Sequence, residues 1–231
     1  MHIPDGFLSG EAVAIGWTGA VAGLGVAVRQ AKLADNERQL PVAGLAAAFF
    51  LVGDAPLVPV TVGTQGHLLG GTLAVVLLGP WLGALTIAVV ASIQALVLGD
   101  GGITTLGLTI VNLALVPALI GYPLVRLLRR VLPTTATALA VACGVAAFVC
   151  VFLAAVLFVT EVTVAAVVDI ESGTLVTAML GTYAVVGVVE GVITALIVRA
   201  LLGVRPDMVR IATREHRRRR AGAPARTETA T

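Results

Sequence analysis

Long apolar runs, broken by short polar or glycine- and proline-rich segments, dominate this chain. The first run covers residues 8–28, where Ala12, Gly16, Ala20, Gly23 and Ala27 recur at three- and four-residue spacing. That spacing puts small side chains along one helix face. A charged loop at 29–39 follows, then a short run from about Leu40 to Val52 that ends in the irregular Asp54–Pro59 segment. Residues 68–98 are almost uncharged with Pro80-Trp81 in their middle, so they read as one kinked helix or as two short helices hinged at Gly79-Pro80. Asp100-Gly101-Gly102 reads as a turn. Residues 103–125 form another span, with polar Thr109 and Asn112 inside it. A further span runs from about Thr134 to Thr160, and an acidic stretch, Glu161–Gly173, reads as a loop. The last run, about Thr174–Leu202, holds the one intramembrane carboxylate, Glu190. The predicted class is all-α, a polytopic membrane helix bundle.

Composition supports this. The chain has 231 residues, 58% of them hydrophobic and 12% charged, with a mean hydropathy of +1.02. Soluble domains carry about 25% charged residues, so a soluble fold is excluded, and the length suits six to eight spans of ~20 residues. Twenty-six glycines suit helices that pack backbone to backbone. Cys143 and Cys150 lie in one apolar stretch and read as packing residues rather than a disulfide or a metal pair. Charge sets the span count. All 15 Lys and Arg fall at 29–38, 126–130 and 199–226, and cytoplasmic loops carry the Lys/Arg excess. The three clusters share one side only if 68–98 crosses twice. The expectation is therefore about seven transmembrane helices, N-terminus outside and C-terminus cytoplasmic. Residues 1–204 would form one transmembrane domain, and 205–231 a basic cytoplasmic tail, partly disordered. The outer side would hold Asp5, Glu11, Asp54, Asp100, Glu161, Asp169 and Glu171 without a single Lys or Arg, a cation-attracting mouth.

The chemistry concentrates at the N-terminus, Met1-His2-Ile3-Pro4-Asp5-Gly6-Phe7. No basic residue precedes Arg29, so this is no signal peptide. The Met1 amine, the His2 amide and the His2 imidazole, bound through Nδ1, would close a five- and a six-membered chelate ring on one metal. Such a nitrogen-rich, near-planar set suits Ni(II), Cu(II) or Co(II) rather than Mg or Ca. His67, in a Gly63-Thr-Gln-Gly66-His67 loop, falls on the same side as His2 and would supply a fourth nitrogen. His216 sits in the arginine-rich tail and reads as solvated.

MHIPDGFL at residues 1–8, Gly63-Thr-Gln-Gly-His67-Leu-Leu-Gly-Gly71, Leu77-Leu-Gly-Pro-Trp81, Gln94-Ala-Leu, Asp100-Gly-Gly102, Leu106-Gly107 and Asn112-Leu together resemble the CbiM/NikM family. So do Glu190-Gly-Val-Ile-Thr-Ala195 and Arg205-Pro-Asp207, and the resemblance runs to about residue 208. These are the substrate-capture membrane subunits of energy-coupling-factor cobalt and nickel importers. The resemblance implies that the N-terminal segment folds back into the bundle and that Met1, His2 and His67 hold Ni2+ or Co2+ as transported substrate. Asp5, Thr64, Gln65, Gln94, Asp100 and Asn112 become candidates to support those ligands. Three positions depart from the family pattern: Thr64-Gln65 for Thr-Ser, Leu108-Thr109 for Ala-Asn, and Tyr183 where a histidine often precedes the Glu190 motif. These bear on contacts around the ligands, and so on the choice between cobalt and nickel.

The resemblance also implies a transmembrane coupling subunit, ATP-binding cassette ATPases and a small accessory membrane subunit as partners, with this chain a multi-pass protein of a prokaryotic inner membrane. The chain has no Gly-x-x-x-x-Gly-Lys-Ser/Thr loop of its own for ATP. It also lacks a nucleophile–base–acid set, so no enzyme is expected, and no nucleic acid partner. A stand-alone secondary transporter or channel for a divalent metal is the competing reading, but no internal repeat is evident and only Glu190, Asn112 and Gln94 could line a pathway. The Ala12/Gly16/Ala20 stripe is a candidate docking face for the coupling subunit. The Arg217–Arg220 run is a candidate for membrane lipid, worth ~1 kcal/mol per charge near an anionic leaflet.

Overall fold

In a computed structural model of the chain, residues 1–33, 39–55, 58–61 and 64–212 are described. The expected tail from 213 onward, with His216 and the Arg217–Arg220 run, lies outside them. The apolar runs become helices α1 (Gly10–Leu33), α2 (Leu40–Gly53), α3 (Gly71–Leu78), α4 (Pro80–Ile93), α5 (Leu106–Ile110), α6 (Tyr122–Val131), α7 (Ala136–Ala165) and α8 (Ser172–Val204). A short hairpin, β1 (Val58–Thr61) and β2 (Thr64–Gly66), lies between α2 and α3. Wider π-helical turns extend α4 to Leu98 and join α5 to α6, so Pro80–Leu98 and Leu106–Val131 are continuous. With α1, α7 and α8 these make five helices long and apolar enough to cross a membrane. The chain is a polytopic helical membrane protein.

The 68–98 run is broken at Gly79, whose φ of 87° leaves the helical region, and Pro80 starts α4. A Cβ on Gly83 would stand 2.6 Å from Val75 Cα, so α3 and α4 return on each other as a tight hairpin. Eight residues of α3 rise only about 12 Å, well short of a ~30 Å hydrocarbon core. Residues 67–70, just ahead of α3, are non-helical. Backbone of that kind survives at membrane depth only where protein buries and satisfies it.

Glycine also lets α7 and α8 touch. A Cβ on Gly144 would meet the Gly191 carbonyl at 2.6 Å, and one on Gly191 would meet the Gly144 carbonyl at 2.8 Å. The two ends of the bundle differ in charge. Arg126, Arg129 and Arg130 close α6 at one end. There Arg210 also donates to the Leu78 carbonyl and to Gln39. Val209 and Ile211 are buried at the same end, so packing continues past the expected boundary at 204. The N-terminal segment, the α4–α5 turn and the α7–α8 turn lie at the opposite end.

Two expectations are corrected here. The α1 stripe is not an open face. Ala20 is fully buried, and a Cβ on Gly16 would fall 2.5 Å from the Leu108 side chain. Ala12 is partly buried on the same side and packs on the core. The stripe is used up inside the chain, by α5. The second concerns Glu161, read as part of a loop; it lies within α7 and accepts two hydrogen bonds from Asn112 Nδ2, both at 3.0 Å.

Candidate metal centre

The segment before α1 enters the bundle as non-helical backbone with a turn at Asp5-Gly6, and each side of it is tied down. On one side the Ile3 carbonyl accepts from Gly102 N–H at 2.9 Å and from the Thr105 hydroxyl at 2.5 Å. Asp5 accepts from the N–H groups of Ile103 (3.1 Å) and Thr104 (2.8 Å) and from the Thr104 hydroxyl. Those bonds hold the Asp5 carboxyl below the usual carboxylate range. On the other side Val167 N–H donates to the Phe7 carbonyl and Ser9 N–H to the Ala165 carbonyl, both at 2.9 Å. Met1, His2 and Ile3 are buried, while Asp5 and Gly6 stay exposed.

This threading brings His2 to His67. Their rings stack at 5.0 Å between centroids and 20° between planes, with Nε2 atoms 2.9 Å apart. The partners settle the tautomers. His67 Nδ1 lies 2.5 Å from the Leu68 carbonyl, which can only accept, so Nδ1 carries the proton. His67 Nε2 is then the acceptor and His2 Nε2–H the donor. A backbone carbonyl fixing one ring nitrogen while the other offers its lone pair is the usual way a ligand histidine is oriented. His2 turns its Nδ1 toward Gly101. The chelate rings expected through Nδ1 therefore require this imidazole to rotate. The Met1 amine sits 3.0 Å from the Tyr183 hydroxyl, which also meets the His67 backbone, so Tyr183 joins the two halves of the site.

Burial governs the electrostatics. It pushes the Met1 amine down from 8.0 to about 5, against the pull of Asp100 and Asp54. It lowers His67 to about 3, and His2 well below its usual value with the amine and His67 adding to the effect. All three groups are thus neutral at pH 7, with lone pairs available to a cation. Asp100 Oδ2 lies 3.8 Å from His2 Nε2. Donor atoms of His2, His67 and Asp100 all fall within 4.8 Å of one another.

The loop carrying His67 is held from below by Glu190. Its carboxylate accepts from Leu69 N–H at 2.7 Å and Gly70 N–H at 3.1 Å, just ahead of α3. Gly70 needs to be glycine here, since its φ is 64° and a Cβ would fall 2.5 Å from the Phe50 ring.

Of the residues expected to support the ligands, Asp100 lies beside the pair, 3.8 Å from His2 Nε2, and Asp5 anchors the segment carrying His2. Gln94 is buried and donates to Asp54 at 3.3 Å. Asn112 is not beside the ligands, being paired with Glu161. The side chains of Thr64 and Gln65 lie outside the described residues. Tyr183, noted only as a departure, and Asp54, Thr105 and Glu190 were missed as site residues. The clue for Glu190 was its position as a lone carboxylate in an apolar helix.

The family model described as the cobalt uptake substrate-specific transmembrane region matches residues 2–208. A protein of Haloquadratum walsbyi named for metal transport is 38% identical, covering 90% of this chain and 93% of its own. A protein of Archaeoglobus fulgidus named as a fused nickel transport protein, NikMN, is 34% identical over 90% of this chain and 68% of its own. A crystal structure of a truncated transition metal transporter superposes with a TM-score of 0.79 at 28% identity, covering 88% of this chain and 99% of that one.

Proposed function

Since the chain belongs to the CbiM family of cobalt uptake substrate-specific transmembrane regions, we propose that it captures Ni2+ or Co2+ from outside the cell for an ATP-driven importer. The protein is a membrane component of cobalt and nickel transport. In the proposed site the metal is held by the Met1 amine, the His2 amide and imidazole, and His67 Nε2. The observation that carries this reading is the 2.9 Å approach of two buried histidines 65 residues apart, beside the chain's own amine. Two donors on adjacent corners of one metal at about 2.0 Å are about 2.8 Å apart; the two rings are already that close, and His2 has to rotate to present Nδ1 in place of Nε2. To chelate in this way the His2–His67 hydrogen bond would break, His2 would turn Nδ1 toward the amine, and the His2 amide would give up its proton.

The orientation follows from charge: the arginine-bearing end is cytoplasmic and the site faces out. ATP hydrolysis falls to separate ATPase chains acting through a transmembrane coupling subunit, and the fused naming of the NikMN relative fits a multi-component system. The stand-alone transporter reading is weaker, because Asn112, Gln94 and Glu190 are each occupied by a partner rather than lining an open path.

The test is calorimetric titration of purified, deformylated protein with Ni(II) and Co(II). Inserting one residue between Met1 and His2 enlarges the chelate and should abolish tight binding, as should His2→Ala and His67→Ala, while His216→Ala should be silent. Tight binding by the inserted variant would sink the proposal. Uptake in cells with and without co-expressed ATPase and coupling subunits separates the importer from a stand-alone carrier.

A further inference from the structure

Threonines inside helices usually settle their hydroxyl on the carbonyl four residues back. Thr86 does so with Leu82 at 2.8 Å, and Thr163 with Val159 at 2.7 Å. Thr72 cannot follow them. It is the second residue of α3, and residues 67–70 before that helix are non-helical, so the carbonyl is not in place. Asn112 has a matching want. Its Nδ2 donates to both oxygens of the Glu161 carboxylate, which fixes the amide with Oδ1 pointing away from that pair. Among the described residues, Thr72 Oγ1 and Asn112 Oδ1 are buried without a hydrogen-bond partner. The two residues are only 1% and 3% exposed. Both line one cavity of about 10 Å³, and Glu190 lines it with them. Every residue around this cavity is buried. Unpaired polar atoms are costly at such a depth, where no bulk water reaches them.

We infer that the cavity is a binding site for one water molecule, held by Thr72, Asn112 and Glu190. The volume suits a single water, and three hydrogen bonds are the usual complement of a buried one. The donors and acceptors also balance. The water accepts from the Thr72 hydroxyl and gives its two hydrogens to Asn112 Oδ1 and the Glu190 carboxylate. Glu190 has the capacity, since each of its oxygens takes one backbone N–H, from Leu69 or Gly70, and can accept a second bond. The water thus ties the carboxylate that holds the His67 loop to the Asn112–Glu161 pair. Asn112 supports that loop at one remove, through the water rather than by reaching the histidines.

The experiment starts from Thr72→Val, which replaces the hydroxyl by a methyl of nearly the same size. Removing the donor strips the water of one bond, so Tm in detergent should fall by roughly 2–6 °C. A dry cavity gives the opposite sign, because the change then deletes an unpaired polar atom; an unchanged or raised Tm overturns the inference. A site lined by oxygens beside a carboxylate would also suit a sodium ion, so the melts are repeated in NaCl and in choline chloride at equal ionic strength. A higher wild-type Tm in NaCl that Thr72→Val abolishes names sodium as the occupant and overturns the water. A high-resolution crystal structure of the full wild-type chain does not depend on the variant folding. One solvent peak at about 2.7–3.2 Å from Thr72 Oγ1, Asn112 Oδ1 and a Glu190 oxygen is expected, and a cavity without density overturns it.

Discussion

Replacing Glu190 should damage the metal site without touching a ligand. The carboxylate is buried and receives two backbone N–H groups, those of Leu69 at 2.7 Å and Gly70 at 3.1 Å. These donors open α3, and within the membrane no water can take over from Glu190. Glu190→Leu leaves both unsatisfied, at about 1–3 kcal/mol each. Relief from burying a carboxylate offsets part of that, for a net loss of about 2–4 kcal/mol. At about 2–4 °C per kcal/mol for a chain of this size, Tm should fall by roughly 5–15 °C. Glu190→Gln keeps one acceptor but turns an NH2 toward the other N–H, and should show about half the loss. His67 lies two residues before Leu69, so loosening this backbone also releases its Nε2 from alignment. Nickel affinity should drop about tenfold, a further 1.4 kcal/mol. Thermal melts in detergent and calorimetry on the same preparations read both effects. A Leu variant with wild-type Tm and wild-type nickel affinity would refute the capping role.

Gly101→Ala should fold yet bind metal poorly, because the new methyl would stand 2.5 Å from His2 Cβ at a φ of 92°; near-normal nickel affinity in a titration would contradict the packing. Proton release should report the state of the apo site. With the amine at about 5, His67 at about 3 and His2 lowered as well, all three are uncharged at pH 7. Binding should then release one proton, from the His2 amide, in titrations across buffers of different ionisation enthalpy. Log affinity should rise by about one per pH unit above pH 5 and more steeply below it, where the amine protonates and competes; release of two or more protons at pH 7 would show that the amine or an imidazole is charged before binding. For topology, a cysteine at residue 100 should be labelled from outside and one at 128 from inside, in a background lacking Cys143 and Cys150. The reverse pattern would invert the proposed orientation.

The long helices were legible because their middles are apolar runs, and the hinge at Gly79-Pro80 because those two residue types break helices for separate reasons. The histidine pair could be brought together from charge alone: sorting Lys and Arg to one side put His2 and His67 on the other. The stripe of Ala12, Gly16 and Ala20 was legible as a packing face but not as to its partner. Small residues announce that some backbone comes close, and Leu108 of the same chain meets that demand as well as another subunit would. The end of α7 was placed too early because Glu161 reads as a solvent residue. It enters the helix by pairing with Asn112, whose own spacing points to no particular partner.

Glu190 marks where reading by residue type stops. A lone carboxylate in an apolar helix invites a search for a cation, a proton path or a second acid, since those are the partners that have letters. Its partners here are the N–H groups of Leu69 and Gly70, which every non-proline residue carries and no pattern advertises. They are in want of an acceptor only because α3 begins inside the bundle, and α3 begins there only because residues 67–70 must bring His67 up to His2. The carboxylate on α8, the glycine at 70 and the histidine at 67 are therefore one requirement, although 121 residues of sequence separate the first contact pair. The proposed metal site, assembled from the chain's first residues and a broken helix, needs an internal acceptor at the break, and Glu190 supplies it.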